Sequence, residues 1–165
     1  MILLDILMHA NSHKSLEAIQ ITPIGFIESE FNDAEVKGRN PASKIVINKS
    51  LTKALDGIEG FSHIYVIFWM DKVKDSGYLH HPGRLQESEP VGILATRAPI
   101  HPNPIGLTLV ELMKREENVL WVNGLDAYNN TPVLDIKPYP DWEHGICFIV
   151  EDFRVPKWLK KNIPS

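Results

Sequence analysis

Three polar residues with different chemistry lie close together in the segment 97–112, which reads RAPIHPNPIGLTLVEL. Arg97, His101 and Asn103 offer a permanent cation, a titratable imidazole and an amide that both donates and accepts hydrogen bonds. Three prolines each fix φ at about −65° and remove a backbone donor, so this segment cannot form a helix or a central strand. Rigid, irregular backbone beside a strand predicts one wall of a binding site, and a plain surface turn is the alternative.

Two short strands are expected to hold this rim, which we define as residues 97–104. The segment 91–96, VGILAT, predicts a strand that leads into the rim. After the rim, Gly106 is expected to let the backbone turn, and residues 107–112 alternate as a strand does. Strand, rim and strand therefore form one unit.

The rest of the chain also predicts strands rather than helices. The most apolar run, 61–70 (FSHIYVIFWM), is rich in aromatic and β-branched residues and predicts the core strand. Pro23 and Gly25 break the alternation over 19–31, which indicates an edge strand or a bulge. Shorter elements are predicted as strands over 44–48, 119–125 and 133–137, a brief helix with Ser50 as its N-cap, and a final helix opened by Pro156.

These elements predict a mainly β (α+β) fold class, a small antiparallel β-barrel with one or two peripheral helices. At 165 residues and 44% hydrophobic content, the chain suits one domain, over 19–165, preceded by an N-terminal extension over 1–18. The single cysteine, Cys147, excludes an internal disulfide, and the first eight residues resemble neither a signal peptide nor an anchor. We therefore expect a soluble, cytoplasmic protein with no membrane association.

The ten glycines contain no GxG pair and no GxSxG, which excludes the dinucleotide fingerprint, the phosphate loop and the nucleophile elbow. The formal charge of −4 argues against a globally basic nucleic-acid binder. Five basic residues nevertheless fall within seventeen positions that contain no acid: Lys37, Arg39, Lys44, Lys49 and Lys53. This basic run predicts a nucleic-acid patch, with a solvated face as the alternative.

Polar groups at several strand ends are expected to line one pocket: Ser29 and Glu30, the rim, and residues 129–131. Such a mixture suits a zwitterionic or sulfonium-bearing ligand. Asp135 and Lys137 lie two apart on one face of a predicted strand that Val133 shares, where they can pair or line the pocket. His63 is either a hydrogen-bonded core histidine or a base.

A histidine-based metal site is the weaker reading of the polar residues. It would use His63, either His80 or His81, and His144. Adjacent residues on an extended chain point to opposite sides, and no HExxH or CxxC spacing is present, so we expect no metal.

Three blocks of the sequence, GFSHIYVIFW, GILATRAPIHPNPIGLTLVEL and NNTPVLDIKPY, resemble in that order the signature blocks of the TsaA-like (TrmO) family. The resemblance covers roughly residues 21–142 and suggests a short, single-domain member. It implies an S-adenosylmethionine-dependent methyltransferase built on a small β-barrel and working as a homodimer. The substrate would be tRNA carrying threonylcarbamoyladenosine beside the anticodon, and the methyl group would go to the exocyclic nitrogen of that base.

The resemblance also implies roles for individual residues. Those that match cofactor-binding positions are Ser29, Glu30, Phe31, His63, Arg97, Leu107, Asn129, Asn130, Thr131 and Pro132. Those that would serve catalysis are Arg97, Asn103, Asp135, Lys137 and Tyr139. The chain departs from the family pattern at His101, where arginine is usual, and at NNTP, where DGTP is usual. A module that binds S-adenosylmethionine or RNA without catalysis is the main alternative.

Overall fold

Six strands close into an antiparallel barrel in the computed structural model, which describes residues 18–30, 42–73, 79–80, 91–139 and 154–155. The barrel strands are β1 (Gly25–Glu28), β2 (Ala42–Ile47), β3 (His63–Trp69), β6 (Ile105–Glu116), β7 (Val119–Asn123) and β8 (Pro132–Pro138). They neighbour one another in the order β1-β2-β7-β6-β3-β8. Two short strands, β4 (Leu79–His80) and β5 (Val91–Gly92), pair separately. The predicted small antiparallel barrel is confirmed.

Strand β6 is longer than its neighbours and changes partner along its length. Residues 105–111 lie opposite β3, from Trp69 back to His63. The pairing of β6 with β7 begins only at Glu111, opposite Asn123, and continues to the hairpin. Among the described strands, only β3 therefore pairs with the first half of β6, so its other side is an open edge.

The barrel interior is filled by alternate residues, as the two-residue period of the strands requires. Ile64, Val66 and Phe68 of β3 are at most 4% exposed, while the residues between them face outward and are half-buried. The same alternation buries Ile27, Ile45, Val110, Leu120 and Val122. The predicted core strand over 61–70 is confirmed as β3.

Gly106 does not make the predicted turn, because it lies inside β6. Its α-carbon faces the Phe68 ring, and a Cβ built there would lie 2.2 Å from a ring carbon. The glycine is required for close packing against the core strand rather than for backbone freedom.

Three other local predictions were wrong in detail. Strand β1 is not an edge, since it pairs with β2 on one side and β8 on the other, and Pro23 lies before it. The strand over 91–96 is only the two residues of β5, followed by a 3₁₀ helix, Ile93–Ala95. The brief helix is a 3₁₀ helix, Lys49–Leu55, whose N-cap is Asn48 rather than Ser50.

Arg115 fastens this 3₁₀ helix to the end of β6. Its guanidinium donates to the carbonyls of Thr52, at 3.0 Å, and Leu55, at 2.9 Å. It also pairs with Asp56 at 3.0 Å and Glu59 at 3.4 Å, while its own side chain is only 14% exposed. These contacts satisfy carbonyls at the end of the helix and fix the helix to the β6–β7 hairpin.

Some predictions fall on parts of the chain that lie outside the described residues. These are the final helix at Pro156, Cys147, and all but the last residue of the extension over 1–18. Within the described residues, no helix has the length and apolar character needed to span a membrane.

Substituting Gly106 with alanine should destabilise the fold by about 1–3 kcal/mol, because the added methyl group overpacks the interior against Phe68. Urea unfolding would measure this difference. Gly92→Ala is the matched control, since nothing lies within 4 Å of a Cβ there, and its effect should stay within about 0.5 kcal/mol. Equal stability of the two variants would contradict the packing role of Gly106.

Candidate functional site

A cleft of about 1310 Å³ lies along the open edge of β6. Four segments contribute its lining: the end of β3 with the following residues to Val73, the rim with Thr96, the first half of β6, and the loop that follows β7. The floor is apolar, with Phe68, Met70 and Ala127, and polar side chains stand around it. Mixed clefts of this kind are typical of small-molecule sites.

Residues 97–99 and 101 of the rim form one wall of this cleft, and Arg97 lies on that wall. That the cleft is a binding site stays a prediction. Arg97 is exposed, and its Nη2 donates to the Leu107 carbonyl at 3.3 Å, on the half of β6 that has no β7 partner. Since no other hydrogen bond or ion pair involves this guanidinium in the described structure, most of its donors remain available to a ligand in the cleft.

The rim keeps its shape through hydrogen bonds centred on Thr96. The Thr96 hydroxyl donates to the Ile93 carbonyl at 2.8 Å and accepts from the Ala98 amide at 3.2 Å. His101 Nε2 lies 3.1 Å from the Thr96 carbonyl, and because a carbonyl only accepts, that nitrogen carries the proton. His101 therefore braces the rim with a group that could equally have faced a ligand.

The far end of the rim is tied to β3. The Met70 amide donates to the Pro104 carbonyl at 2.8 Å, and the Ile105 amide to the Asn103 carbonyl at 2.7 Å. Asn103 is exposed and does not line the cleft. Its predicted catalytic role stays a prediction.

The loop over 129–132 is tied to the end of β1. The Ser29 amide donates to Asn129 Oδ1 at 3.1 Å, and the Asn130 amide donates to the Ile27 carbonyl at 2.8 Å. Asn130 has a φ of 66°, in the left-handed region that favours glycine and asparagine. Thr131 is buried, 3% exposed, and reaches the cleft.

These contacts explain how NNTP can stand in place of DGTP. Asn129 supplies the acceptor oxygen that an aspartate would supply, and Asn130 adopts a backbone conformation that a glycine would adopt. The structure thus brings Arg97, Leu107 and Thr131 together at one cleft, with Ser29 and Asn129 behind it. Glu30 is exposed, Pro132 begins β8, and Phe31 lies outside the described residues.

Of the remaining predicted residues, His63 and Tyr139 lie together at the opposite end of β3, Lys137 opposes Tyr65 in the middle of that strand, and Asp135 opposes Ile67, next to Phe68. His63 hydrogen-bonds the Ser62 hydroxyl through Nδ1 at 3.0 Å and packs edge-on against Tyr139, which is 1% exposed. Since β3 rises about 3.3 Å per residue, His63 lies about 16 Å along the strand from Phe68, which lines the cleft. One copy of the chain does not bring His63 and Tyr139 to Arg97.

Asp135 and Lys137 form the predicted ion pair, with Nζ 2.6 Å from Oδ2, on the outer side of β8. The prediction that Val133 shares their face was wrong, because Val133 is fully buried. The pairing with β3 shifts there, so that Ile67 opposes Asp135 and Phe68 opposes Val133. This bulge at Leu134 inverts the alternation.

A family model described as the tRNA-methyltransferase O N-terminal domain matches residues 27–142. The chain belongs to this family. A "Probable S-adenosyl-L-methionine-binding protein" of Methanothermobacter thermautotrophicus is 41% identical over 126 residues, which cover 73% of this chain and 90% of that relative. The "tRNA (adenine(37)-N6)-methyltransferase" of Rattus norvegicus is 36% identical over 131 residues, or 71% of this chain and 30% of that relative.

Solved structures of the family show the same architecture. The TrmO structure from Pseudomonas aeruginosa matches with a TM-score of 0.62 and 29% identity, over 79% of this chain and 60% of that chain. The chain thus spans about 60% of the length of this TrmO protein. The resemblance noted in the sequence is confirmed by the family model, the relatives and the fold.

Two pairs of interacting residues line the cleft but were not predicted from the sequence. Thr108 Oγ1 donates to Asp126 Oδ1 at 2.6 Å, and Lys72 Nζ lies 5.0 Å from the centre of the Tyr128 ring. The sequence marks Asp126 and Tyr128 only as members of a loop at a strand end. Their position in the cleft depends on the paths of the segments that follow β7 and β3, and a local sequence pattern does not predict those paths.

The basic run of the sequence divides into unlike parts. Lys44 is engaged within the chain, 3.6 Å from Glu28 and 4.7 Å from the centre of the Trp121 ring. Lys49 and Lys53 are exposed on the 3₁₀ helix, while Lys37 and Arg39 lie outside the described residues. The nucleic-acid role of this run stays a prediction.

The described residues contain no group of three or more histidine, cysteine, aspartate or glutamate side chains placed to hold a metal ion. His81 and His144, two of the four histidines in the metal alternative, lie outside those residues. The metal hydrolase therefore gains no support from the described part of the chain.

Changing Asn129–Asn130 to the Asp-Gly pair usual in the family should leave stability within about 0.5 kcal/mol, because both the acceptor and the left-handed residue are kept. Asn130→Val should cost about 1–3 kcal/mol, since a β-branched residue resists a positive φ. Thermal or urea unfolding would measure both variants. A valine variant as stable as the natural chain would show that the loop relaxes to another conformation.

Proposed function

We propose that this chain is an S-adenosylmethionine-dependent methyltransferase that acts on an adenosine of tRNA. The observation that carries the proposal is the cleft on the open edge of β6, where a guanidinium with no ion-pair partner in the described residues lies beside apolar side chains in a fold shared with TrmO. Relatives named for S-adenosylmethionine binding and for tRNA methylation support the cofactor and the substrate class.

The chemical character of the cleft fits this cofactor. A nucleoside with a charged amino-acid end needs an apolar and aromatic surface for its base and both signs of charge for its zwitterion. Met70, Tyr128 and Ala127 supply the first, and Arg97 and Asp126 stand ready for the second. When bound, S-adenosylmethionine supplies an electrophilic methyl group.

The chain's own contribution to methyl transfer would be positioning. A rim fixed by prolines and by hydrogen bonds to Thr96 holds Arg97 in place, so little ordering is needed when a ligand binds. Asp135 or His63 is our candidate to accept the proton lost by the substrate nitrogen. Neither lines the cleft of its own copy; His63 would have to come from a second copy of the chain, whereas Asp135 opposes Ile67, next to the cleft residue Phe68.

We propose that the acceptor is the exocyclic nitrogen of threonylcarbamoyladenosine beside the anticodon, as the family resemblance implies. The rat relative is named for the N6 position of adenine 37, which agrees with this choice. Lys49 and Lys53 are the exposed members of the basic run and our candidates for phosphate contacts. With tRNA as its substrate, the chain would work in the cytoplasm.

A homodimer would complete the site. The outer face of β3 and the first half of β6 carries Ile67 and Leu109 beside Ile105 and Leu107, which are 43% and 49% exposed. Ile105 and Leu107 also line the cleft, so a second copy docked on this face would cover the cleft opening. It would also bring that copy's polar groups near Arg97.

Ile105→Glu should weaken this homodimer at least about tenfold, because a carboxylate would be desolvated at the interface. Sedimentation over a range of concentrations would measure the dissociation constant. Leu94→Glu is the control, since Leu94 is 75% exposed and lies outside that face. A natural chain that is monomeric at all concentrations would refute the dimer.

A second candidate function is cofactor binding without transfer. It is favoured by relatives named only as S-adenosyl-L-methionine-binding proteins, including one of Archaeoglobus fulgidus that is 42% identical. Calorimetry combined with a methylation assay on fully modified threonine tRNA separates the two functions. Binding with no base methylation would select the binding module, and the absence of both would refute both.

Arg97→Ala should abolish cofactor binding and tRNA methylation while leaving the fold intact, because Arg97 is exposed and makes a single hydrogen bond to the barrel. Labelled S-adenosylmethionine would report both activities. Arg154→Ala is the matched control, since that arginine also donates to backbone carbonyls, at 3.4 Å, but outside the cleft. Normal methylation by the Arg97 variant would show that the site lies elsewhere.

A further inference from the structure

Two opposite charges flank a single peptide unit of β6. Arg97 donates to the carbonyl oxygen of Leu107 at 3.3 Å. The side chain of the next residue, Thr108, donates to Asp126 Oδ1 at 2.6 Å. Adding these two contacts to the covalent bonds that join them gives an upper limit of about 13 Å between the guanidinium and the carboxylate.

These two charges do not neutralise each other. In the described structure, neither Arg97 nor Asp126 belongs to an ion pair, although both are exposed and both line the cleft. Asp126 accepts one hydrogen bond, through Oδ1, and so Oδ2 keeps its capacity to accept. Lys72, the other cation of the cleft, lies over the Tyr128 ring instead.

An unpaired guanidinium and an unpaired carboxylate on one cleft, at most about 13 Å apart, can hold the two ends of a zwitterion. An α-amino acid carries its carboxylate and its ammonium group on the same carbon, so the two groups need partners of opposite sign, one on each side of that carbon. Guanidinium binds carboxylate through two parallel hydrogen bonds, and an ionised carboxylate accepts from ammonium. A phosphate group would meet repulsion from Asp126, which argues against a nucleic-acid backbone at this position.

We propose that Arg97 and Asp126 clamp the α-amino-acid end of the cofactor, with Asp126 holding the ammonium group and Thr108 orienting Asp126. This inference rests on the proposed function and extends it to a residue that determines ligand specificity. It also fixes the direction of the bound molecule, with its amino-acid end over the Leu107–Thr108 peptide and its nucleoside towards Met70 and Tyr128.

Two nucleosides that differ in the amino-acid end test the clamp by calorimetry. S-adenosylhomocysteine carries the zwitterion, whereas 5′-methylthioadenosine lacks it. The natural chain should bind S-adenosylhomocysteine more tightly. Asp126→Asn should weaken the binding of S-adenosylhomocysteine by about 10- to 100-fold, which is the effect of losing one charged hydrogen bond. It should leave the binding of 5′-methylthioadenosine unchanged.

The positioning role of Thr108 has its own readout. Thr108→Val keeps the shape of the side chain but removes the hydroxyl that donates to Asp126. It should weaken the binding of S-adenosylhomocysteine by about 3- to 10-fold and have no effect on the binding of 5′-methylthioadenosine. Thr108→Ser should restore the natural affinity. Asp71→Asn is the matched control, because Asp71 is a second exposed carboxylate of the cleft and should have no effect. Circular dichroism and thermal unfolding would establish that each variant is folded.

The outcomes separate this clamp from the proposed function. If Asp126→Asn loses affinity equally for both ligands, Asp126 contacts the nucleoside part. If it loses affinity for neither, Asp126 contacts neither ligand. Either result overturns the clamp and leaves the proposed function standing. Equal affinity of the natural chain for both nucleosides would do the same. A natural chain that binds neither nucleoside would overturn the proposed function together with the clamp.

Discussion

The cleft exists because β6 is twelve residues long and β7 only five. A closed barrel normally pairs both sides of every strand, and this protein closes the barrel with the second half of β6 only. Within the described residues, no strand pairs with the other side of the first half. Arg97 satisfies one carbonyl of that side, and the rim and the loop after β7 stand off from it, so a ligand has backbone and side chains within reach.

Much of the fold was predictable because alternation reports directly on a two-residue period. The core strand, the strands over 107–112 and 119–125, and the barrel class follow from it. Close packing at a particular residue and shifts in strand register cannot be predicted from alternation. The sequence predicts a turn at Gly106, whereas the structure shows that the glycine packs against Phe68. The sequence also predicts that Val133, Asp135 and Lys137 share one face of a strand, but the bulge at Leu134 places Val133 on the other face.

The site was predictable in proportion to how local its contacts are. Arg97 and the rim lie in one proline-rich segment, so they can be predicted from the sequence. Asp126 reaches the cleft through a hydrogen bond to Thr108, eighteen positions away, which depends on the register of two strands. The departure at His101 is likewise resolved only by structure, because its imidazole braces the Thr96 carbonyl.

Arg115 links two regions that the sequence keeps far apart. It locks the helix that carries Lys49 and Lys53 to one end of β6, and the other end of the same strand forms the cleft. Leu107 and Arg115 are eight residues apart, or about 27 Å of strand. Strand β6 therefore holds this helix and the cleft at a fixed separation. Under the proposed function, an RNA bound by those lysines would have to span that separation to present its base, so the shape of the RNA would decide whether it is a substrate.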